Sequence, residues 1–187
     1  PVTLRGLALV LDVSPMPVRE AVRRLIAERA LELSDSRRVS VPAMTAERFE
    51  EIVFARRVLE PELAGRALRH FDDRRVAALA AIDDRLGAAM QAGDAEGYMR
   101  LNHAFHFSIY RLAGAITLEA LVASIWLQFG PFMREVYGRF GTSALEDQHE
   151  RAIAALRSRD EAALRRAIAE DIMQGMRFIG ESALRES

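Results

Sequence analysis

The chain has 187 residues, enough for one large or two small domains, and half of it is hydrophobic. Its net charge of −1 supplies no general attraction to nucleic acid or membrane, so binding of that kind requires a local patch. Cysteine is absent, which excludes disulfides, thiolate catalysis and Cys-based zinc sites.

The chain shows no secretory signal, and we expect no apolar run long enough to cross a bilayer. The expected location is therefore the cytoplasm, with no membrane partner. The sequence begins at Pro1, within what the pattern below indicates is a domain, so we expect N-terminal residues that include a first helix to be missing.

Residues 3–11 predict a short apolar helix, and a turn leads from it into a second helix. In that second helix Val18, Val22, Leu25 and Ile26 recur at intervals of three and four, which defines one buried face. Ser14 is the expected N-cap of this helix, before prolines in the first turn. Three arginines project from its other faces, namely Arg19, Arg23 and Arg24.

The segment after the second helix changes its period. Leu31 and Leu33, then Val39 and Val41, alternate around a polar "SDSRR" tip, which is typical of a β-hairpin. Helix, turn, helix and hairpin in this order predict a winged helix-turn-helix over residues 1–43. Such a unit binds DNA through its second helix.

The charge of this segment is weak evidence for DNA binding. Residues 1–45 hold seven Arg against five Asp and Glu, a net charge of only +2. The alternative is a solvated helix face with incidental arginines. In the DNA-binding interpretation, Arg37 and Arg38 at the hairpin tip contact the DNA backbone or minor groove.

From residue 44 onward the pattern is helical throughout. Helices are predicted at about 45–70, 73–91, 94–113, 116–140, 143–158 and 160–184, with Gly or Asp in the breaks. The fold class is therefore mainly α: a partial winged helix-turn-helix, then an all-α bundle of about six helices over residues 44–187.

Polar residues in the bundle form a candidate metal site. Asn102 and His106 are four residues apart and project from the same helix face. His149 and Asp171 lie on the last two helices and meet if those helices form an antiparallel hairpin. Such N and O ligands suit Zn²⁺, Ni²⁺ or Mn²⁺. The alternative is that the histidines are ordinary core or surface residues.

The first segment resembles the winged helix of GntR-family transcriptional regulators, on "LDVSPMPVREAVRRLIAERALEL…RRVSV". The matching positions are Ser14, Pro17, Val18, Arg19, Glu20, Ala21, Arg23, Leu25 and Glu28. Pro15 and Met16 depart from the family pattern, and Arg29 and Arg38 stand where glycine is common. The resemblance implies DNA contacts from the second helix, carried over most directly to Arg19 and Arg23. With Ser14 and Arg24 at the same helix and Arg37 and Arg38 at the hairpin tip, they make up the candidate DNA-binding residues.

The second segment resembles the FCD ligand-binding domain of the FadR branch of that family, on "ARRVLEPELAGRAL" and "LNHAFHFSIYRLAG". The resemblance implies a divalent metal that captures the carboxylate of a small organic acid. Asn102 takes the position of an Asp ligand, His106 and His149 match, and Asp171 takes the position of a final His. Two arginines are candidate effector contacts, Arg56 and Arg134, although Arg56 could instead pair with Glu60 at i,i+4.

The sequence thus predicts a non-enzymatic transcriptional regulator, most often a repressor in this family. A homodimer binds double-stranded operator DNA, and a small carboxylate metabolite controls that binding. One alternative is a metal-dependent hydrolase built on His106, His149 and Asp171, although the chain shows no HExxH motif and no nucleophile elbow. Another is a metabolite sensor that no longer binds DNA.

Overall fold

The structure, a computed structural model, describes residues 2–34, 38–140 and 148–183. Over these ranges the chain forms eight α-helices and one two-stranded antiparallel sheet. In chain order the elements are α1 (Leu4–Val10), α2 (Pro15–Ala27), β1 (Glu32–Leu33), β2 (Val39–Ser40), α3 (Ala46–Ala67), α4 (Asp73–Gln91), α5 (Ala95–Tyr110), α6 (Ile116–Phe140), α7 (Gln148–Ser158) and α8 (Glu161–Ala183). The predicted fold class, mainly α with six helices after the hairpin, is confirmed.

The first two helices form as the periodicity predicts. Val18 and Val22 of α2 are buried, whereas Leu25 and Ile26 are half-buried. The α2 helix begins at Pro15, whose missing N–H costs nothing in the first turn. Ser14 occupies the N-cap position, but its side chain makes no capping hydrogen bond.

The hairpin pairs Leu33 with Val39 and Glu32 with Ser40. Val2 adds an antiparallel bridge to Val39, with backbone hydrogen bonds of 2.9 and 2.8 Å. Val39 is 2% exposed, while Leu33 is 52% exposed. The alternation of apolar residues therefore predicted the two strands correctly. It did not predict which apolar side chain of the hairpin becomes buried.

The bundle helices agree with their predicted spans, and two of them end differently. The predicted helices 45–70 and 94–113 both finish in a 3₁₀ turn, at Leu68–His70 and Arg111–Ala113. Residues 143–147 and 184, at the limits of the last two predicted helices, lie outside the described residues. Thr45 caps α3 by accepting a hydrogen bond from the backbone N–H of Arg48.

The packing of the bundle brings distant parts of the chain together. Helix α3 packs against α8 and α6, and α4 packs against α5 and α7. Helices α7 and α8 pack against each other, as the predicted hairpin requires. The buried apolar residues form two clusters, one of Ala8, Val18, Val22 and Val39, and a larger one that begins at Met44.

The expectation that no apolar run is long enough to cross a bilayer is wrong. Residues Ile116–Met133 of α6 form an 18-residue stretch of mean hydropathy 1.4, so by length and composition this helix could cross a membrane. Core helices of globular proteins pass the same test, and Val122, Trp126 and Phe129 of this stretch pack into the core of the bundle. The apolar character of α6 therefore serves packing along at least one of its faces.

Candidate metal centre

Three of the four predicted ligands converge inside the bundle. His106 on α5 is fully buried, His149 on α7 is 6% exposed, and the side chain of Asp171 on α8 is 26% exposed. Asp171 lies between the two imidazoles: its Oδ2 is 3.1 Å from Nε2 of His106, and its Oδ1 is 3.7 Å from Nε2 of His149. One ligand atom from each residue can be chosen so that all three lie within 4.8 Å of one another.

These separations suit ligands of one small cation. With metal–ligand bonds of about 2.1 Å, two ligands of one ion lie about 3.0 Å apart in octahedral and about 3.4 Å apart in tetrahedral geometry. The spacing of His106 and Asp171 falls in that range, and the spacing of His149 and Asp171 is a few tenths of an ångström longer. The donor set is therefore compatible with a divalent metal.

The orientation of His106 is fixed by Tyr110, one helical turn later on α5. Nδ1 of His106 is 3.0 Å from the Tyr110 hydroxyl, which itself donates to Oε2 of Glu60 over 2.7 Å. Because the hydroxyl proton is engaged by Glu60, the Tyr110 oxygen accepts a hydrogen bond from Nδ1–H of His106. Burial and the nearby Glu60 carboxylate raise the pKa of Tyr110, so the hydroxyl stays protonated. Nε2 of a neutral His106 is therefore left with its lone pair.

The orientation of His149 is fixed in the same way from another helix. Its Nδ1 lies 2.9 Å from Oδ1 of Asp83 on α4, and its ring stacks on Phe105 with centroids 3.8 Å apart. A carboxylate beside Nδ1 favours the proton on that nitrogen. Nε2 of His149 is thus presented toward Asp171.

The centre combines ionised and neutral acceptors. Burial alone would raise the pKa of Asp171, but contact with a protonated His106, together with the charges of His149 and Arg56, outweighs burial and brings it to about 2. Among the described residues, Nε2 of His106 finds no well-aligned hydrogen bond. An anionic oxygen that faces an imidazole lone pair at 3.1 Å is repelled unless a cation or a proton lies between them.

The fourth predicted ligand, Asn102, is 7% exposed and lies one helical turn before His106 on α5. Its position places a neutral amide on the ligand-bearing side of the helix. An amide oxygen is a weaker donor to a divalent metal than the carboxylate expected at this position.

Arg56 is bonded to Glu60, as the alternative interpretation predicted. Nε of Arg56 donates to Oε1 of Glu60 over 2.5 Å, and its Nη2 donates to Oε2 over 3.2 Å. Nη1 of Arg56 lies 3.3 Å from the sulfur of Met176. The guanidinium also lies over the rings of Trp126 and Phe129, 4.8 and 4.2 Å from their centroids. Burial opposes its charge, but Glu60 outweighs that effect and raises the pKa of Arg56.

Most of the predicted DNA contacts lie on the surface around α2 and β2. Ser14, Arg19, Arg23 and Arg24 are exposed along α2, and Arg38 is exposed at the start of β2. Arg23 lies 3.4 Å from Glu20 in an exposed pair, which is worth little energetically and leaves the arginine available. Arg37 and the side chain of Arg134 lie outside the part of the chain that the structure describes.

A comparison with known families identifies the helical part. A model of the FCD domain family matches residues 51–173, which is 123 of the 187 residues. The chain belongs to the FCD domain family. The matched residues span the core of the bundle from α3 to α8 and include Arg56, His106, His149 and Asp171.

Relatives of this FCD protein cover nearly its whole length. The HTH-type transcriptional regulator McbR of Escherichia coli (strain K12) is 26% identical over 178 residues, 94% of this chain and 80% of the relative. The solved structure of E. coli McbR/YncC superimposes with a TM-score of 0.90 and 26% identity, and the match covers 96% of this chain and 86% of that one.

A second solved structure extends the likeness beyond one organism. A putative transcriptional regulator GntR from Rhodococcus sp. RHA1 gives a TM-score of 0.70 and 25% identity over 94% of this chain and 84% of that one. The predicted membership is confirmed: the protein is a GntR-family transcriptional regulator with an FCD domain. The relatives named are regulators, a different class from the hydrolase considered above.

The two residues that orient the imidazoles in the FCD domain, Asp83 and Tyr110, were not predicted from the sequence. Asp83 lies on the same stripe of α4 as the buried residues Val76, Leu79 and Leu86. A carboxylate at a position where the helical period places apolar residues could have indicated that Asp83 has a buried polar partner. Tyr110 lies four residues after His106, and that spacing places both side chains on one helix face.

Proposed function

We propose that the FCD domain senses a small carboxylate through a divalent metal held by Asn102, His106, His149 and Asp171. The observation that carries the proposal is that both imidazoles offer Nε2 to one carboxylate while hydrogen bonds occupy their Nδ1 atoms. A histidine that ligates a metal through one ring nitrogen usually donates a hydrogen bond from the N–H of the other ring nitrogen. Zn²⁺, Ni²⁺ and Mn²⁺ all suit such N and O donors.

The residues of the chain have distinct roles in this proposal. A metal held by these residues would supply a Lewis acid for a carboxylate of the effector. Tyr110 and Asp83 hold the two imidazoles, and Asp171 supplies the anionic ligand. Arg56 keeps the Glu60 carboxylate in place beneath Tyr110 rather than contacting the effector, whereas Arg134 stays the candidate for direct contact.

The DNA-binding part of the proposal assigns residues 1–43 to the operator and residues 44–187 to sensing and dimerisation. The two separate apolar clusters support this division. Arg19 and Arg23 project from the exposed side of α2, where a recognition helix meets base edges and phosphates. A homodimer presents two such helices to half-sites one helical turn apart, and effector binding changes their relative placement. DNA binding in turn implies a cytoplasmic location.

An electrophoretic mobility shift with the gene's own upstream DNA tests the proposal. The wild-type protein should shift this DNA, and chelator or a small carboxylic acid should change the apparent Kd. Arg19→Ala should weaken binding and reduce the salt dependence by about one counterion if that arginine contacts phosphate. Arg85→Ala, an exposed arginine on α4, serves as the matched control. No shift at any salt concentration, with metal still bound, would favour the sensor that has lost DNA binding.

A further inference from the structure

Helix α6 lies between the buried centre and the end of the recognition helix α2. On one side, Trp126 Nε1 donates to Oε1 of Glu60 over 3.1 Å, and Glu60 holds Tyr110. On another side, Ser124 Oγ donates to the carbonyl of Glu28 over 3.4 Å. Ser124 and Trp126 are two residues apart, so they point to opposite sides of the helix.

Arg48, in the first turn of α3, joins three parts of the molecule through one guanidinium. Its Nη2 donates to the carbonyl of Arg29 over 2.8 Å and to Oε1 of Gln128 on α6 over 3.3 Å. Its Nη1 donates to the carbonyl of Ala43 over 3.4 Å, in the connection between the two domains. The end of α2, the connection and α6 are thus held by the same side chain.

The carbonyls that Arg48 and Ser124 bind lie just beyond α2. Backbone amides of residues 28–31 already donate to the carbonyls of Arg24, Leu25 and Ile26 in the last turn of the helix. The carbonyls of Glu28 and Arg29 are left for donors outside the helix, and a cation there also compensates the helix dipole. Arg29, just beyond the helix, has a φ of +58°, which turns the chain sharply toward the hairpin. Ser124 and Arg48 therefore bind the carbonyls of Glu28 and Arg29 where the recognition helix ends.

We infer that Arg48 is the positioning residue that fixes the recognition helix to the bundle, and that α6 relays changes at the buried centre to it. A displacement of Trp126 moves Ser124 and Gln128 with the same rigid helix, and with them the contacts to α2. The inference rests on the proposed function for its regulatory meaning, because that function makes α2 the DNA-binding element. The mechanical link itself requires neither DNA nor metal.

Amide hydrogen exchange in the full-length protein, without DNA or added metal, tests the link. Arg48→Ala should speed exchange in the peptide covering residues 24–31 by about tenfold, since it removes charge-assisted hydrogen bonds that hold this segment. Arg57→Ala, an exposed arginine on the same helix, should match the wild type. Equal exchange in Arg48→Ala and wild type would overturn the positioning role of Arg48.

A double-mutant cycle tests the relay through α6. Trp126→Phe removes the bond to Glu60 and keeps a ring, and it should speed exchange over residues 24–31 about threefold. In the Arg48→Ala background the same change should add nothing, whereas full additivity would contradict transmission through Arg48. Zinc titration of Arg48→Ala should match the wild type. Failure of the wild type to bind zinc or DNA would count against the proposed function. The exchange rates over residues 24–31 would still show whether Arg48 and α6 hold the end of α2.

Discussion

The Tyr110 hydroxyl lies 3.0 Å from Nδ1 of His106, one helical turn earlier on α5. Removal of this hydroxyl in Tyr110→Phe leaves the imidazole without the acceptor that fixes its orientation. Loss of a hydrogen bond that orients a metal-ligating histidine typically lowers metal affinity by about 10- to 100-fold, so the zinc affinity of this variant should fall by that factor. Competition with a chromophoric chelator measures it. Ser108→Ala removes a hydroxyl that, among the described residues, donates to the Ala104 carbonyl in the same helix, and its zinc affinity should equal that of the wild type.

Asp83 holds the second imidazole from a different helix, 2.9 Å from Nδ1 of His149. Asp83→Ala should weaken zinc binding by about 10- to 100-fold, for the same reason, and Asp83→Asn should weaken it less because an amide oxygen still accepts. Isothermal titration calorimetry gives both values. Asp84→Ala, an exposed neighbour, is the control, and equal losses in the Asp83 and Asp84 variants would show that only the total charge matters.

The pair formed by Arg56 and Glu60 is almost completely buried, with the two side chains 5% and 0% exposed. Arg56→Met leaves a buried carboxylate without its cation, and the free energy of unfolding should fall by about 3 kcal/mol. Arg66 makes a comparable i,i+4 pair with Glu62 on the same helix, but the two side chains are 50% and 37% exposed. Arg66→Met should therefore cost less than about 1 kcal/mol. Urea unfolding that gave similar values for both variants would refute this reading of the buried pair.

Arg29 has a φ of +58° in the left-handed region, where a side chain is strained and glycine is not. Arg29→Gly should stabilise the protein by about 0.5 to 1 kcal/mol, after the extra flexibility of glycine in the unfolded chain is deducted. The carbonyl that Arg48 binds is retained in this variant. Thermal unfolding measures the gain, and a lower Tm would mean that the Arg29 side chain contributes more than its backbone strain costs.

The sequence predicted those features that depend on local spacing. The interval between Asn102 and His106 placed both on α5, and the hairpin of α7 and α8 brought His149 to Asp171. The glycine-like position of Arg29 agrees with its positive φ.

Features that depend on how helices rotate against one another were not predicted. Asp83 reaches His149 across two packed helices, and Arg48 reaches the end of α2 through tertiary contacts alone. No periodicity along one helix encodes the angle at which it meets another. Whether Arg56 would pair with Glu60 or face a ligand was likewise undecided by spacing, because both outcomes use the same helix face.

Metal analysis of protein purified without chelators tests the central claim most directly. The account predicts about one equivalent of zinc, nickel or manganese in the wild type and close to none in His106→Ala, with His70→Ala, an exposed histidine, as the control that keeps its metal. A wild-type protein without stoichiometric metal, or a His106→Ala variant that retains it, would contradict the account.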